Sequence, residues 1–255
     1  MKRARTWTVA ALVPLAAGAF LALGGHLPPE ARASIPAGPP AFSDPTTFSN
    51  PYFPFQAGGY RVFTGKSGSE PIVLLDVFSG ETREFPLGGG TVTCRVLQET
   101  EFEGGELSEI TKNYFAQADD GSVYYFGETV DNYEDGVVTG HGGSWLVGGP
   151  QGGDPEGTQT VDVPALFMPA DPEVGDQWMP EDVPDGPREL DEMTKGDVKV
   201  RTKSGSFEGC IEVLETDPVD GDTERKWYAP GVGVCRGKQK GENFTLVAST
   251  FAAPE

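Results

Sequence analysis

The feature of this chain that most restricts its fold is the segment 113–145, in which short aromatic runs alternate with Asp-Gly turn signals. This pattern is typical of an antiparallel meander. Because side chains alternate along a strand, Val123 and Tyr125 are expected on one face, with Tyr124 and Phe126 on the other. Both faces are then largely apolar, so we predict a strand at the centre of a sheet that is covered on both sides.

The remainder of the chain repeats this organisation. Short segments rich in β-branched and aromatic residues recur at intervals of about 8 to 12 residues, which indicates an all-β barrel or sandwich. The sequence contains no long helical pattern and no strict internal repeat. We therefore predict an all-β fold, a single domain of about a dozen short antiparallel strands in a curved sheet, half-barrel or barrel, with long Pro- and Gly-rich loops.

The N-terminus has the layout of an export signal. A basic start precedes an apolar run over residues 7–23, and an Ala-Arg-Ala cleavage site stands before Ser34. Cleavage would remove residues 1–33 and give a secreted or extracytoplasmic protein. The alternative is an uncleaved membrane anchor, since the run is nearly long enough to span a bilayer. Residues 34–51 are rich in Pro, Ala and Ser and predict a flexible linker, which leaves 52–255 for the all-β domain.

The charge of the chain argues against two classes of partner. Its formal net charge is −20 at pH 7, which disfavours binding to nucleic acid and to anionic membrane surfaces. The charge is uneven, since residues 113–187 contain 15 acids and no Lys or Arg. Like charges in loops usually face water, whereas the sharper hypothesis is a site for a cation or a cationic partner. We expect a soluble monomer.

Two stretches resemble segments of known proteins. The stretch NYFAQADDGSVYYFGE (113–128) resembles a WYAQDxxGNVWYFGE pattern, and KWYAPGVGV (226–234) is similar to a YAPGVG pattern. Both patterns belong to secreted bacterial proteins of uncharacterised function. The resemblance implies a curved antiparallel sheet, like the half-barrels of periplasmic lipoprotein carriers. It implies no activity and carries over no functional residues.

No catalytic signature stands out in the sequence. His141 lies near Ser144 in a Gly-rich stretch without a GxSxG elbow. A catalytic triad is defined by geometry rather than by closeness in sequence, so a surface histidine is the favoured interpretation. A glycosidase needs two carboxyl groups about 5 to 10 Å apart, and nothing in the sequence selects such a pair. We therefore favour a protein without catalytic residues and keep an acid-pair hydrolase as the alternative.

Calcium is the best metal candidate, because many acids lie in turns. Four carboxylates fall within eight positions at Asp217, Asp220, Asp222 and Glu224. Their spacing does not match an EF-hand loop. Asp is also common in turns because its side chain binds nearby backbone amides, so both interpretations stay open. No other cofactor is expected.

The chain has three cysteines, Cys94, Cys210 and Cys235. Export permits a disulfide, and an odd count leaves one thiol unpaired. The hairpin at 217–223 is expected to bring the strands of Cys210 and Cys235 together. We therefore predict a Cys210–Cys235 disulfide, with Cys94 buried and free.

The concave face of a long curved sheet must be covered, and no amphipathic helix is available. We expect the Pro-rich loops over 148–187 to cover it, with five apolar side chains pointing inward: Leu166, Phe167, Met168, Val174 and Trp178. A cleft between these loops and the meander would have aromatic walls, an acidic rim and a preference for neutral or cationic ligands. Four residues are predicted to contact a small-molecule or envelope ligand there: Tyr125, Trp145, Phe167 and Trp178.

Together these features favour an exported, non-enzymatic all-β protein that binds a ligand or associates with the cell envelope. Two alternatives of other classes stay open. One is a secreted hydrolase of polysaccharide or lipid that uses a carboxylate pair. The other is a calcium-stabilised structural protein.

Overall fold

The computed structural model describes residues 35–36 and 38–253, and the predicted signal segment 1–33 lies outside this part of the chain. The described residues form fifteen strands and no helix, which confirms the all-β prediction. The strands are β1 (Gly59–Ser67), β2 (Glu70–Leu87), β3 (Gly90–Glu103), β4 (Glu106–Gln117), β5 (Val123–Glu134), β6 (Val137–Gly140), β7 (Trp145–Val147), β8 (Gln159–Val161), β9 (Ala165–Met168), β10 (Gln177–Asp182), β11 (Arg188–Arg201), β12 (Ser206–Thr216), β13 (Thr223–Ala229), β14 (Gly233–Gln239) and β15 (Glu242–Ser249).

The strands form one curved sheet that is mostly antiparallel and does not close. The order is β10-β11-β12-β13-β14-β15-β1-β2-β3-β4-β5-β7-β8, and β6 and β9 also pair with β5. β1 lies between β15 and β2, so the first and last strands meet in the middle of the sheet. On β9 the Phe167 carbonyl accepts a hydrogen bond from Trp178 Nε1 of β10 at 3.0 Å. β9 therefore narrows the gap between the two ends of the sheet.

The central strand of the meander is confirmed. Val123, Tyr124, Tyr125 and Phe126 are all buried on β5. β4 pairs along one side of this strand, and β7 and β9 pair along the other. Both faces are covered because one faces the interior of the curved sheet and the other packs beneath the N-terminal segment.

Two strands differ from the predicted pattern. β2 runs without a break through residues 79–81, although Gly80 is a residue typical of turns. β3 pairs with both halves of β2, and a register shift between Phe78 and Thr82 absorbs the extra residues. β10 lies inside the segment 148–187 that we predicted as loops, and it contains Pro180. Its place at the end of the sheet explains this, since an edge strand tolerates proline.

The predicted flexible linker 34–51 is packed against the sheet from about residue 41 onward. Phe42 packs on the rings of Tyr124 and Phe126, with ring centroids 5.7 and 5.5 Å apart. Asn50 Nδ2 donates to the Pro169 carbonyl at 2.9 Å. Phe53 then turns into the interior of the sheet. The linker therefore acts as part of the domain, because it covers the outer face of β5 and one end of the interior.

The predicted cover of the concave face is correct for most of its residues. Met168 and Trp178 are buried, and Leu166 and Phe167 are half-buried. Val174 is an exception, since 63 % of it is exposed. Its segment turns outward before β10 begins. Within the described part of the chain, no helix is present that is long and apolar enough to cross a bilayer.

Candidate functional site

The interior of the curved sheet contains a cavity of about 180 Å³. Alternate side chains from strands in both halves of the sheet point into it. Its wall includes seven aromatic residues: Phe53, Phe63, Phe115, Tyr125, Phe167, Tyr228 and Phe244. It includes seven acids: Asp76, Glu99, Glu101, Glu109, Glu128, Glu181 and Glu189. Only two cations, Arg61 and Lys226, line this cavity, so carboxyl groups are in large excess.

Both cations already have carboxylate partners. Arg61 on β1 binds Asp76 on β2 through Nε at 2.8 Å and Nη2 at 2.7 Å, and this pair is almost fully buried. The Arg61 guanidinium also lies over the Phe78 ring at 4.9 Å. Lys226 Nζ lies 2.7 Å from Glu215 Oε2 on the neighbouring strand β12. The built-in cations therefore leave most of the wall's carboxyl groups without a counter-charge.

A chain of hydrogen bonds links two of the remaining acids. Asn113 Nδ2 donates to Glu99 Oε2 at 2.6 Å. The Tyr125 hydroxyl bonds Asn113 Oδ1 and lies 3.0 Å from Glu128 Oε2. The chain runs from β3 through β4 to β5, and it fixes the orientation of both carboxyl groups.

Three carboxyl groups of the wall have few protein partners. Glu181 Oε1 accepts from Trp145 Nε1 at 3.0 Å. Glu101 Oε1 and Glu128 Oε1 are buried and have no hydrogen-bond partner among the described residues. Glu101, Glu128 and Glu181 also form no ion pair within the described ranges. A buried acceptor without a donor is unfavourable, so these oxygens favour a ligand that brings donors.

Burial makes these acids hard to ionise, because a charged carboxylate loses its hydration. Desolvation is the largest cause in each case, and it raises the pKa of Glu99 to about 7, of Glu181 to about 8 and of Glu101 to about 9. The pKa of Glu128 is raised well above its usual range. Solvent reaches Glu99 through the open cavity. The wall atoms around Glu99 still remove part of its hydration, which raises its pKa. Several wall acids are therefore neutral at pH 7.

A second group of acids lies beside the cavity. Oxygens of Glu189, Asp191 and Glu215 lie within 4.8 Å of one another, and this is the one such cluster in the described residues. Burial raises the pKa of Glu189 to about 8 and that of Asp191 well above its usual range. Glu215 is the partner of Lys226, so the Lys226 ammonium already supplies positive charge to this cluster.

The predicted calcium residues are not brought together as one site. Asp217 Oδ1 accepts from the amides of Val219 and Asp220 at 2.6 and 3.4 Å in an exposed loop, and Asp220 Oδ1 accepts from the Asp222 amide at 2.8 Å. These are ordinary turn contacts. Glu224 instead points inward toward Lys226 at 4.0 Å.

The predicted ligand-contacting residues all lie at or behind the cavity. Tyr125 and Phe167 line it. Trp145 lies behind Tyr125, with ring centroids 5.0 Å apart, and it orients Glu181. Trp178 is buried and holds the backbone of Phe167. Ligand binding by these four residues stays a prediction.

Sequence reasoning missed the acids of the wall. They alternate with residues of the opposite face, as in Glu99-x-Glu101 on β3 and Glu189-x-Asp191 on β11. The opposite face is also polar in places, so alternation alone does not tell inside from outside. The signal that was present is the E-x-E or E-x-D pairing on β3 and on β11.

A larger depression of about 260 Å³ lies on the opposite face of the sheet, where Tyr114 and Val96 point outward. Its main charged group is Arg83, which makes two hydrogen bonds with Asp154 at 2.7 and 2.6 Å. The guanidinium also lies 4.9 Å from the Tyr114 ring centre. Arg83 pairs with Asp154, whereas Glu101, Glu128 and Glu181 of the interior cavity form no ion pair within the described residues, so the interior cavity is the stronger candidate site.

The predicted Cys210–Cys235 disulfide is wrong, since all three cysteines are free and buried. The pair does lie together, because a thiol–thiol hydrogen bond lowers the pKa of Cys210. Their strands, β12 and β14, are separated by β13. Backbones two strands apart are about 9 to 10 Å from each other, which exceeds the Cα separation of about 4.4 to 6.8 Å in a disulfide.

His141 and Ser144 do not form a catalytic pair. His141 Nδ1 lies 2.9 Å from both the Val130 carbonyl and Asp131 Oδ1. The Ser144 hydroxyl accepts from the Val130 amide at 2.9 Å. Both side chains therefore hold the turn between β6 and β7 against β5.

No protein-family model matches the chain, and no curated protein or solved structure matches it.

Proposed function

We propose that this chain is an exported, non-enzymatic binding protein that takes up a small, positively charged ligand inside its curved sheet. The excess of acids carries this proposal, because seven acids and two cations line the cavity and both cations have partners. A bound cation would make ionisation of the buried wall acids less unfavourable. Export rests on the sequence pattern of residues 1–33.

The size of the cavity limits the ligand. A volume of about 180 Å³ corresponds to about six water molecules, and it is below the roughly 300 to 1,000 Å³ of typical small-molecule pockets. The ligand is therefore small, or it inserts only its charged end. The aromatic rings of the wall favour cations in two ways, by excluding water and through cation–π attraction.

A carboxylate-pair hydrolase is the second candidate, and the cluster of Glu189, Asp191 and Glu215 favours it. Its oxygens lie within 4.8 Å, close to the roughly 5 Å separation of retaining glycosidases. This candidate predicts turnover of a glycoside or ester that Glu189→Gln abolishes. The binding protein predicts no turnover.

The proposed function is tested by titration with four small probes. Two are cations, butylammonium and calcium, one is neutral, butanol, and one is an anion, butyrate. Trp145 contacts Tyr125 and Glu181, so its fluorescence reports on the cavity, and Trp145→Phe identifies its share of the signal. We expect a saturable change with at least one of the two cations. Butanol and butyrate should give none.

The matched variants are Glu181→Gln in the cavity and Glu208→Gln on the exposed side of β12, where Glu208 pairs with Lys199 at 2.6 Å. The first should weaken cation binding and the second should leave it unchanged. Equal responses to butanol and to the cations, or no response to either cation, would contradict the proposed function.

A further inference from the structure

The chain of hydrogen bonds from Glu99 to Glu128 has more bonds than its two inner groups, Asn113 and Tyr125, have donor protons for. It has three bonds, between Glu99 and Asn113, Asn113 and Tyr125, and Tyr125 and Glu128. The Asn113 amide can donate toward only one neighbour in the chain, and the Tyr125 hydroxyl has a single proton. These groups supply two protons for three bonds. One of the terminal carboxyl groups therefore supplies the third.

The orientation of the Asn113 amide shows which end carries this proton. Asn113 Nδ2 donates to Glu99 Oε2, so Asn113 Oδ1 faces Tyr125 and accepts the hydroxyl proton. The Tyr125 hydroxyl then has no proton left for Glu128, which lies 3.0 Å away. Glu128 therefore supplies the third proton to Tyr125.

The second oxygen of Glu128 is buried and lacks a hydrogen-bond donor among the described residues. Glu128 is only 2 % exposed and lines the cavity, and its Oε1 has no hydrogen-bond partner in the described part of the chain. The ionisable groups that face Glu128 come from four strands: Tyr125 on β5, Glu109 on β4, Glu99 on β3 and Glu181 on β10. None of these groups is a cation.

One cation of the cavity wall shows how an ammonium is held next to this site. Lys226 places an ammonium on an alkyl stem against Glu215 and Glu224, which are not among the wall residues. A primary ammonium has three N–H donors, which suits acceptors that come from separate strands, and its alkyl part can pack on rings such as Phe115 and Phe167. Calcium would need six to eight oxygens at about 2.3 to 2.6 Å, and aromatic rings occupy much of this wall.

Building on the function proposed above, we propose that the ligand is a primary alkylammonium ion bound among Glu99, Glu128 and Glu181, and that its uptake releases the Glu128 proton. The O–H bond of Glu128 breaks, the proton passes to solvent, and the new carboxylate pairs with the ammonium. No electron transfer is involved. The high pKa of Glu128 is consistent with a neutral carboxyl group in the empty cavity.

Titration calorimetry with butylammonium tests this inference. The purified protein is titrated at pH 7 in two buffers that differ in ionisation enthalpy, which gives the number of protons released per ligand bound. We expect about one from Glu128, and Glu181, whose pKa is about 8, adds to the release when the ammonium binds. Glu128→Gln keeps a donor to Tyr125 and has no proton to lose. It should lower the release by about one proton per ligand and weaken binding about ten-fold or more.

Glu208→Gln is the matched control and should behave as the wild type, and a thermal melt checks that both variants are folded. Butylammonium binding without proton release, or with the same release in Glu128→Gln, would overturn this inference and leave the proposed function standing. Binding of calcium without binding of butylammonium would also overturn this inference and leave the proposed function standing. If neither cation binds, the proposed function fails as well.

Discussion

The buried ionisable side chains of this protein form two groups: those that have an oppositely charged partner and those that do not. The Arg61–Asp76 pair is compensated, and its side chains are each about 4 % exposed. Glu101 and Glu128 lie in the same wall without a cation. A compensated buried pair and an uncompensated neutral acid respond in opposite ways to mutation, so each can be identified by experiment.

Arg61→Met is expected to destabilise the fold by about 3 to 5 kcal/mol, because it leaves Asp76 buried without its cation. Arg188→Met is the control, since its pair with Asp182 lies at the surface. That change should cost less than about 1 kcal/mol. Urea denaturation of both variants measures the difference. Equal losses of stability would show that the Arg61 pair is not shielded from water.

Sequence patterns located the aromatic half of the candidate site but not its acids. Tyr125 and Phe167 were found because aromatic residues on a covered strand are expected to face a core. Glu99 and Glu189 were missed, because an acid in a strand normally faces water. Only the curvature of the sheet reveals that these positions point inward.

Whole strands were easier to predict than their lengths and neighbours. The strand pattern over β5 followed directly from alternation, whereas the short β9 lies within the segment 148–187 that we predicted as loops. The continuity of β2 is not apparent from the sequence, because Gly80 is typical of a turn and only pairing with β3 shows the bulge. Pairing between distant segments is a tertiary property, and one local window of sequence does not contain it.

Gly127 shows how tightly β5 and β7 are joined. Its φ is +120°, and a Cβ there would lie 2.1 Å from the Trp145 carbonyl oxygen. Gly127→Ala is therefore expected to lower the free energy of unfolding by more than about 2 kcal/mol. Gly142→Ala is the control, because its Cβ would meet nothing within 4 Å. That variant should stay within about 0.5 kcal/mol of the wild type. Equal stability of the two variants, measured by urea denaturation, would contradict this packing.

The molecule as a whole is a curved sheet that encloses acids, and its stability should depend on pH accordingly. The pKa of Glu181 is about 8 and that of Glu101 about 9 in the folded protein, against about 4.3 in an unfolded chain. The folded state therefore binds more protons than the unfolded state between these values. Stability should be greatest near pH 5 and fall as the pH rises toward 9.

Urea denaturation at pH 5, 7 and 9 measures this slope. Repulsion within a chain of net charge −20 acts in the same direction, so Glu101→Gln serves as the control that isolates the interior. This variant should lose less stability between pH 5 and 9 than the wild type. Stability that rises with pH over this range would show that the wall acids are ionised and solvated.

The proposed cation site in the cavity is tested most directly by thermal unfolding at pH 8, in butylammonium chloride and in sodium chloride of equal concentration. A ligand that binds only the folded state raises the melting temperature with its concentration. We expect the midpoint to rise further in butylammonium chloride, and Glu181→Gln to remove most of the difference. Identical midpoints in the two salts at every concentration would contradict a cation site in the cavity.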